Sequence, residues 1–374
     1  MAEFSKYIGL DVHKETIAVA VADGDGGEVR YLGEIANEPA AVKRLLHKLS
    51  RDGGRLRFCY EAGPCGYELY RQIVGEGHAC VVVAPALIPR KPGERIKTDR
   101  RDAASLARLD RAGELTAVWV PDPEQEAMRD LSRAREDMKI VERQLRQRLS
   151  GFLLRHRRRY GGKQAWSQAY WRWLEGERFE RPQQQIVLEE YAEAVRQAQR
   201  RAAGLEQQLH RAIEGWSLGA AAQALTALRG VDRTAAATLL AELDDISRFD
   251  HPRQLMSYVG LVPSEYSSGA RRRQGGITKT GNGHARRILI ECAWGYRFPA
   301  RKTATIQRRA ERAPEAVQAI AWQAQLRLCD KYRRLSARGL NGSKVSAAIA
   351  RELCGFVWAI VRQVQRTEQV SAPA

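Results

Sequence analysis

The period of the hydrophobic positions changes along the chain, and the changes predict different kinds of structure. Short apolar runs separated by the polar links "HKET" and "DGDGG" predict three antiparallel strands near the start. After them, segments with apolar residues at helical spacing alternate with two further apolar runs, "LRFCYEAG" and "HACVVVAP". The predicted order over residues 1–122 is therefore β-β-β-α-β-α-β-α.

This order of elements predicts a particular sheet. A hairpin-built half-sheet that is continued by parallel strands with crossover helices is the arrangement of the ribonuclease H fold. The run "CVVV" in the fifth strand is apolar at every position, which is typical of a strand buried on both faces. We therefore expect residues 1–122 to form a ribonuclease H-like α/β domain.

The remaining pattern is helical and divides into two parts. From 123 to 216, two long charged segments with narrow apolar stripes predict an antiparallel coiled-coil arm. Trp166, Trp171 and Trp173 lie between these segments. We expect them to form a small core at the tip of the arm, with stacking on nucleic-acid bases as the alternative. Residues 217–374 are predicted to form a separate, mostly helical domain, so the fold class is α/β plus all-α.

The charge of the chain favours a polyanionic partner. Its 62 Lys and Arg residues exceed its 44 Asp and Glu residues, which gives a formal net charge of +18. Nucleic acid is the first candidate for such a partner, ahead of a membrane surface. No apolar run reaches membrane-spanning length, and the N-terminus lacks the pattern of a secretory signal. The six cysteines show no CxxC spacing, so we expect reduced thiols in a cytoplasmic protein with no membrane partner.

Four acidic residues stand where predicted elements begin or end. Asp11 interrupts the first apolar strand, and Glu61 follows the apolar run of the fourth. Because these strands are neighbours in the predicted sheet, the two carboxylates can converge at one end. Asp99 and Asp102 are three residues apart at the start of a helix and share one face. Four carboxylates in one cleft repel each other unless cations are present, and hard oxygen ligands suit Mg²⁺ (or Mn²⁺).

Each acid also has a purely structural interpretation. Asp99 is a candidate helix N-cap, and Asp102 is a candidate first-turn acid that the helix dipole stabilises. Asp11 and Glu61 are harder to explain in this way, since a strand interior seldom carries an unpaired carboxylate. The four acids together, on a basic chain, favour a metal site that assists phosphoryl transfer.

Three blocks that contain these acids resemble a known family. The blocks "YIGLDVHKETIAVAV", "YEAGPCGYELYRQI" and "RIKTDRRDAASLARL" resemble the DEDD domain of transposases of the insertion sequence one-ten family. The resemblance covers nearly the whole chain. It implies a Holliday-junction-resolvase-like domain, a coiled-coil arm and a C-terminal transposase domain. It also implies that four acids bind metal and take part in catalysis: Asp11, Glu61, Asp99 and Asp102.

The resemblance continues in the last domain, where "LTALRGVDRTAA" looks like a helix-hairpin-helix. In that motif a glycine turn and a helix N-terminus meet a phosphate. Gly230 is present, but Asp232 stands where a second glycine is expected, and its charge opposes a phosphate. This turn can therefore serve either to pack the helices or to contact DNA directly.

The same domain contains "GLVPSEYSSG", in which serines precede a glycine and a run of arginines. The resemblance implies that Ser268 is the nucleophile. Ser264 and Ser267 are the alternatives if the motif is aligned differently. Without the resemblance, these residues are ordinary loop serines. Glycine permits close backbone approach, and cations stabilise developing charge on a phosphate. The predicted phosphate contacts are Arg271, Arg272, Arg273, Lys279, Arg286 and Arg287.

The resemblance implies a DNA transposase that cuts and rejoins element ends and target DNA through a serine–DNA intermediate. Its implied partners are DNA, a structured noncoding guide RNA from the same element, and further copies of the chain in a dimer or tetramer. One alternative is a metal-dependent junction resolvase without a covalent intermediate. A sugar-kinase- or actin-like protein is another, although the chain has no second acid-bearing repeat of the sheet. The third is a non-catalytic nucleic-acid-binding protein.

Overall fold

A computed structural model describes residues 3–89, 98–268 and 273–371. The chain divides into two compact units, with the division between Val120 and Pro121. The first unit combines a sheet with helices, and the second is almost entirely helical. No helix in the described ranges is long and apolar enough to cross a membrane.

A five-stranded mixed sheet is the centre of the first unit. Its strands are β1 (Lys6–Val12), β2 (Thr16–Asp23), β3 (Arg30–Ala36), β4 (Leu56–Glu61) and β5 (Ala79–Val83). The spatial order is β3-β2-β1-β4-β5. The first three strands are antiparallel, whereas β4 runs parallel to both β1 and β5. This mixed sheet is consistent with the ribonuclease H-like fold that the sequence predicts.

Three helices cover the two faces of this sheet: α1 (Pro39–Leu49), α2 (Glu68–Gly75) and α3 (Asp99–Arg111). Side chains alternate between faces along a strand, so Ile8 and Leu10 of β1 are buried in the core that α1 and α2 cover. Gly9 faces α3 on the other side. A Cβ at Gly9 would lie 2.1 Å from the carbonyl oxygen of Ala103, so glycine is required for α3 to pack this closely on β1.

The second unit begins with two long helices and a short one between them: α4 (Pro123–Arg155), α5 (Gln168–Gly176) and α6 (Pro182–Ala212). The long helices pack in opposite directions. Arg135, in the first half of α4, forms an ion pair of 2.7 Å with Glu206 near the end of α6. Leu153, near the end of α4, shares a core with Leu188 near the start of α6.

The tryptophans between the long helices belong to a small core at their far end. Trp166, Trp171 and Trp173 pack against buried Tyr170 and Leu174 of α5. This is the packing role that the sequence favours for them, and it involves apolar side chains of all three helices.

In its described residues, the rest of the second unit contains seven α-helices and a short hairpin. The helices are α7 (Gly219–Leu225), α8 (Arg233–Leu243), α9 (Pro252–Tyr258), α10 (Gly283–Ala293), α11 (Ala304–Ala310), α12 (Glu315–Ala337) and α13 (Gly342–Ser371). The hairpin strands are β6 (Pro263–Glu265) and β7 (Gln274–Ile277). One core joins these helices to Met128 of α4 and Leu209 of α6. The predicted boundary between 216 and 217 thus falls inside a shared core, and the three-part division of the chain stays a prediction.

Candidate functional site

Acids at the ends of two neighbouring strands lie on the face of the sheet that α3 covers. Leu10 of β1 pairs with Tyr60 of β4 in the parallel ladder, so the residues that follow them, Asp11 and Glu61, occupy the same level. Because alternate residues point to opposite faces, Asp11 shares the α3 side with Gly9. The sheet therefore brings both carboxylates to one edge and one face, as the sequence predicts.

The first turn of α3 contributes two more acids. Thr98 is the N-cap of this helix, and its side chain accepts a hydrogen bond from the Arg101 N–H at 3.4 Å. The structural interpretation of Asp99 as the N-cap is therefore wrong, because Thr98 occupies that position. Asp99 and Asp102 lie in the first turn, where the helix dipole favours negative charge. Neither carboxylate is needed to begin the helix.

Asp11, His13 and Asp99 form a compact group of possible metal ligands. One ligand atom from each of the three lies within 4.8 Å of the others. The Nε2 atom of His13 is 3.4 Å from Asp11 Oδ2 and 3.4 Å from Asp99 Oδ2. Glu61 and Asp102 are not members of this group, although the charge of Asp102 acts on Asp11. The sequence predicts all four acids as ligands and misses His13, which follows Asp11 by two residues.

The surroundings of Asp11 penalise its negative charge. Burial raises the pKa of the Asp11 carboxyl, His13 lowers that pKa, and the charges of Asp102 and Asp99 raise it again, with a net increase. Oδ2 of Asp11 is buried and accepts no well-formed hydrogen bond from the described residues. A buried carboxylate oxygen beside two other acids is unfavourable as an anion, and this set of oxygen and imidazole donors fits a divalent cation.

The candidate serines lie on the hairpin of β6 and β7. Ser264 is held against the facing strand, since a Cβ at Gly275 would lie 2.4 Å from Ser264 Oγ. Ser267 is exposed, and its Oγ donates a hydrogen bond to Glu265 Oε1 at 2.8 Å. Ser268 is also exposed, at the point where the described part of the hairpin stops. Two of the three hydroxyl groups are therefore accessible to a large substrate.

Two of the predicted phosphate contacts lie on or near the described part of this hairpin. Arg271 and Arg272 fall outside the described residues. Arg273 and Lys279 are exposed, the first beside β7 and the second between β7 and α10. Their exposure leaves both cations available to a polyanion.

Arg286 and Arg287 have partners within the second unit. Nη1 of Arg286 donates to the backbone carbonyl groups of Val259 at 3.0 Å and Thr280 at 2.8 Å. Arg287 forms an ion pair of 2.6 Å with Glu136 of α4. Both residues therefore stabilise the packing around α10, and their contact with phosphate stays a prediction.

The turn between α7 and α8 is shaped by packing. Gly230 has a φ of +82°, and a Cβ there would lie 2.3 Å from the carbonyl oxygen of Cys292 in α10. Asp232 caps α8 by accepting a hydrogen bond from the Ala235 N–H at 2.8 Å. A carboxylate already occupies the helix N-terminus where a phosphate would bind, and this favours the packing role of the turn over DNA contact.

The mixed sheet and the acids at one end of it define a class of protein. These acids, Asp11, Glu61, Asp99 and Asp102, are called the acidic edge below. Carboxylates gathered at the edge of a ribonuclease H-like sheet are typical of enzymes that cut or transfer phosphodiester bonds with the help of divalent cations. Comparison with known proteins is in agreement with this class. The model of the IS116/IS110/IS902 transposase family matches residues 222–307, and the model of the DEDD domain of IS110 transposases matches residues 8–157.

Individual relatives match along most of the chain. A putative transposase, y4qE, of Sinorhizobium fredii is 49% identical over 362 residues, which are 96% of this chain and 90% of the relative. The transposase for insertion sequence element IS1533 of Leptospira borgpetersenii is 31% identical over 335 residues, 89% of this chain and 97% of the relative. A probable family 20 transposase of Pseudomonas aeruginosa is 27% identical over 297 residues, 76% of this chain and 82% of the relative. The chain belongs to the IS116/IS110/IS902 family of transposases.

Proposed function

We propose that this transposase cuts and rejoins DNA at the ends of an insertion sequence through a covalent bond between Ser268 Oγ and a DNA phosphate. The observation that carries the proposal is the acidic edge of the sheet, where Asp11, Asp99 and His13 come within 4.8 Å of one another. The exposure of Ser268 supports its role as the nucleophile, because a duplex can approach the hydroxyl group.

The acidic edge is proposed to bind Mg²⁺ (or Mn²⁺) through Asp11, Glu61, Asp99 and Asp102. When bound, such a cation neutralises charge on the phosphate that is being cut. The chain itself holds several acids close together, and their carboxylates repel one another. Nε2 of His13 lies 3.4 Å from Oδ2 of Asp11 and 3.4 Å from Oδ2 of Asp99, so the imidazole separates the two carboxylates.

A serine nucleophile explains rejoining as well as cutting. When the Oγ–phosphorus bond forms, one phosphorus–oxygen bond of the DNA breaks, and the leaving strand ends in a hydroxyl group. The phosphoester energy is kept in the serine–DNA bond, so a strand hydroxyl can later reverse the step with a new partner. A serine hydroxyl is a weak nucleophile at neutral pH and requires activation by a base or a neighbouring charge.

Ser267 is the main rival to Ser268, on a geometric observation. Its hydroxyl group donates to Glu265 Oε1 at 2.8 Å, and Gln274 Nε2 donates to the other oxygen of Glu265 at 3.4 Å. A hydroxyl, a carboxylate that accepts its proton and a group that orients the carboxylate are the parts of an activated nucleophile. The family resemblance assigns Ser268, and the two serines must be distinguished by experiment.

The proposed partners are DNA, a structured noncoding guide RNA and further copies of this chain in a dimer or tetramer. The net charge of +18 supports a nucleic-acid partner and does not discriminate between RNA and DNA. The guide RNA is proposed from the resemblance to the family alone.

Trapping of the covalent intermediate tests this proposal. Wild-type protein is incubated with Mg²⁺, candidate guide RNA and nicked DNA that carries an element end, and it is denatured before electrophoresis. We expect a protein–DNA adduct with wild type and with Ser264→Ala, and none with Ser268→Ala. An adduct that is lost only in Ser267→Ala moves the nucleophile to Ser267.

The same assay separates the resolvase alternative. A resolvase would cut the DNA in a metal-dependent manner without an adduct in any variant, because water and not serine attacks the phosphate. The acidic edge alone supports this second function, since it contains the residues that such cleavage requires. The non-catalytic alternative predicts binding of nucleic acid without cleavage.

A further inference from the structure

A small cavity of about 150 Å³ lies in the second unit between α11, α12 and the segment that precedes α11. It is separate from the serine hairpin, and none of the residues assigned above lines it. Its volume is well below the ~300–1,000 Å³ of pockets that hold drug-sized ligands, so it suits one flat ring. Lys302, Gln307 and Glu311 of its lining are exposed, so the cavity opens to the surface.

One wall of this cavity combines an aromatic ring with a cation. Trp322 of α12 and Lys302 both line it, and Lys302 Nζ lies 5.0 Å from the centre of the indole ring. Arg229 lines it as well, and its Nη1 donates to the backbone carbonyl of Pro299 at 2.8 Å. An aromatic face for a base and cations for its phosphate are the two elements of single-strand binding sites.

The side chain of Gln325 adds a buried acceptor to the lining. This residue is 2% exposed, and its Nε2 donates to the Arg301 carbonyl at 3.2 Å, which fixes the orientation of the amide. The other amide atom, Oε1, is buried and accepts no hydrogen bond from the described residues. A buried acceptor without a donor is unfavourable unless a ligand or water supplies one.

Exposed aromatic residues occur next to the cavity, since Nη1 of Arg229 in its lining also donates to the backbone carbonyl of Phe298 at 3.4 Å. Phe298 is 51% exposed and Trp294 is 38% exposed. The guanidinium carbon of Arg297 lies 4.5 Å from the centre of the Phe298 ring. Large exposed rings beside cations form a sequence-tolerant platform for unpaired bases. The acid Glu311 also lines the cavity, and it accepts a hydrogen bond from Gln307, so we expect the phosphate on the side of Lys302 and Arg229.

We propose that this cavity binds the base of one unpaired nucleotide, which stacks on Trp322, while Lys302 contacts its phosphate. The shared chemistry is that of an unpaired nucleotide in DNA or RNA. The inference rests on the proposed action on nucleic acid and adds a specific subsite for it. It explains why an aromatic ring and a lysine line the same small cavity.

A bulged duplex tests the inference. The full chain is titrated, at fixed salt, with a duplex that contains one unpaired nucleotide and with the same duplex that contains an abasic residue there. We expect wild type to prefer the base-containing bulge by about tenfold, since one base stacked on an aromatic ring contributes this much. Parallel DNA and RNA duplexes identify the source of the nucleotide, by the larger preference.

Substitutions then assign the preference to the cavity. Trp322→Leu should bring the ratio close to one, and Lys302→Ala should weaken binding to both bulges. Lys331→Ala is the control, because it removes a lysine that lies on α12 outside the cavity, where it pairs with Glu352, and should keep the ratio. Equal affinity of wild type for both bulges overturns the inference but not the proposed nucleic-acid function. Failure to bind any duplex overturns the proposed nucleic-acid function and the inference with it.

Photocrosslinking keeps the test independent of the folding of Trp322→Leu. Wild-type protein is irradiated with a duplex that carries 5-iodouracil as the unpaired base, and the crosslinked peptides are mapped by mass spectrometry. We expect a crosslink within the α12 peptide that contains Trp322. Crosslinks that are confined to other peptides contradict the proposed subsite.

Discussion

The buried ion-pair network around Glu242 gives a quantitative prediction for the second unit. The side chain of Glu242 in α8 is fully buried, and Arg133 of α4 donates to its two oxygens at 2.7 and 2.9 Å. Asn282, the N-cap of α10, donates to the same carboxylate at 2.8 Å, and Arg129 lies 3.9 Å away. One carboxylate therefore joins three helices, and its removal should loosen all of them.

Glu242→Gln keeps the shape of the side chain and removes its charge. Breaking a buried ion pair costs about 3–5 kcal/mol, because it leaves an uncompensated charge. Arg133 is 44% exposed and Arg129 is 12% exposed, so water can partly solvate the cations that remain. We therefore expect a loss near the lower limit, about 3 kcal/mol in the free energy of unfolding.

Glu352→Gln is the matched control. Glu352 also pairs with two cations, Arg327 and Lys331, but its side chain is 21% exposed and Arg327 is 67% exposed. Ion pairs that water can reach contribute about 0–1 kcal/mol, so this change should cost less than one kcal/mol. The contrast between the two variants isolates burial as the cause.

Urea unfolding followed by tryptophan fluorescence measures both losses. Seven of the eight tryptophans lie in the second unit, and Trp119 lies in the first. The fluorescence signal therefore reports mainly on unfolding of the second unit. Burial raises the pKa of Glu242, but hydrogen bonds to Arg133 and Asn282 lower it by more, so the net pKa is lowered. The ionised side chain therefore stabilises the fold above the ordinary glutamate pKa. This stabilisation is lost as pH falls through the pKa of Glu242 in the folded protein. The difference between wild type and Glu242→Gln should shrink in acid. Equal losses for the two variants at neutral pH would show that burial of the ion pair is not the cause of the difference.

Three further predictions concern the acidic edge, the charge and the fold. Burial raises the pKa of Asp11, so the free energy of unfolding falls as pH rises through the pKa of the folded protein. Asp11→Asn should therefore raise the melting temperature at neutral pH in the absence of metal. It should also remove the stabilisation by Mg²⁺ and abolish recombination. Nucleic-acid affinity should fall with salt, with a log–log slope of about −0.9 per phosphate contact on duplex DNA. Gly9→Ala should destabilise the first unit by at least about 1–3 kcal/mol because its Cβ meets the α3 backbone, whereas Gly75→Ala, with open space around it, should not.

The sequence predicts the sheet and the meeting of its acids for identifiable reasons. The change from a two-residue to a helical period marks each element, and a parallel β1–β4 pair follows from the order of elements. Once these strands are neighbours, Asp11 and Glu61 must reach the same edge. His13 is different, because its contact with Asp99 depends on where the first turn of α3 lies, and no local pattern fixes that position.

The roles of single arginines cannot be read from the sequence in the same way. Arg286 and Lys279 lie in the same basic segment, yet the guanidinium group of Arg286 binds two backbone carbonyls while Lys279 is exposed. Their difference arises from tertiary packing around α10. Gly230 and Asp232 are a similar case, since the contact with Cys292 joins residues that are distant in the sequence.

Mass spectrometry of the trapped protein–DNA adduct is the decisive test of Ser268 as the nucleophile. After nuclease digestion leaves a short nucleotide remnant, tryptic peptides are fragmented to locate the modified side chain. We expect the remnant on Ser268 in wild type, formed only with Mg²⁺ or Mn²⁺ and absent from Asp11→Asn. A remnant on another residue, or metal-dependent cleavage that leaves no remnant on the protein, would contradict it.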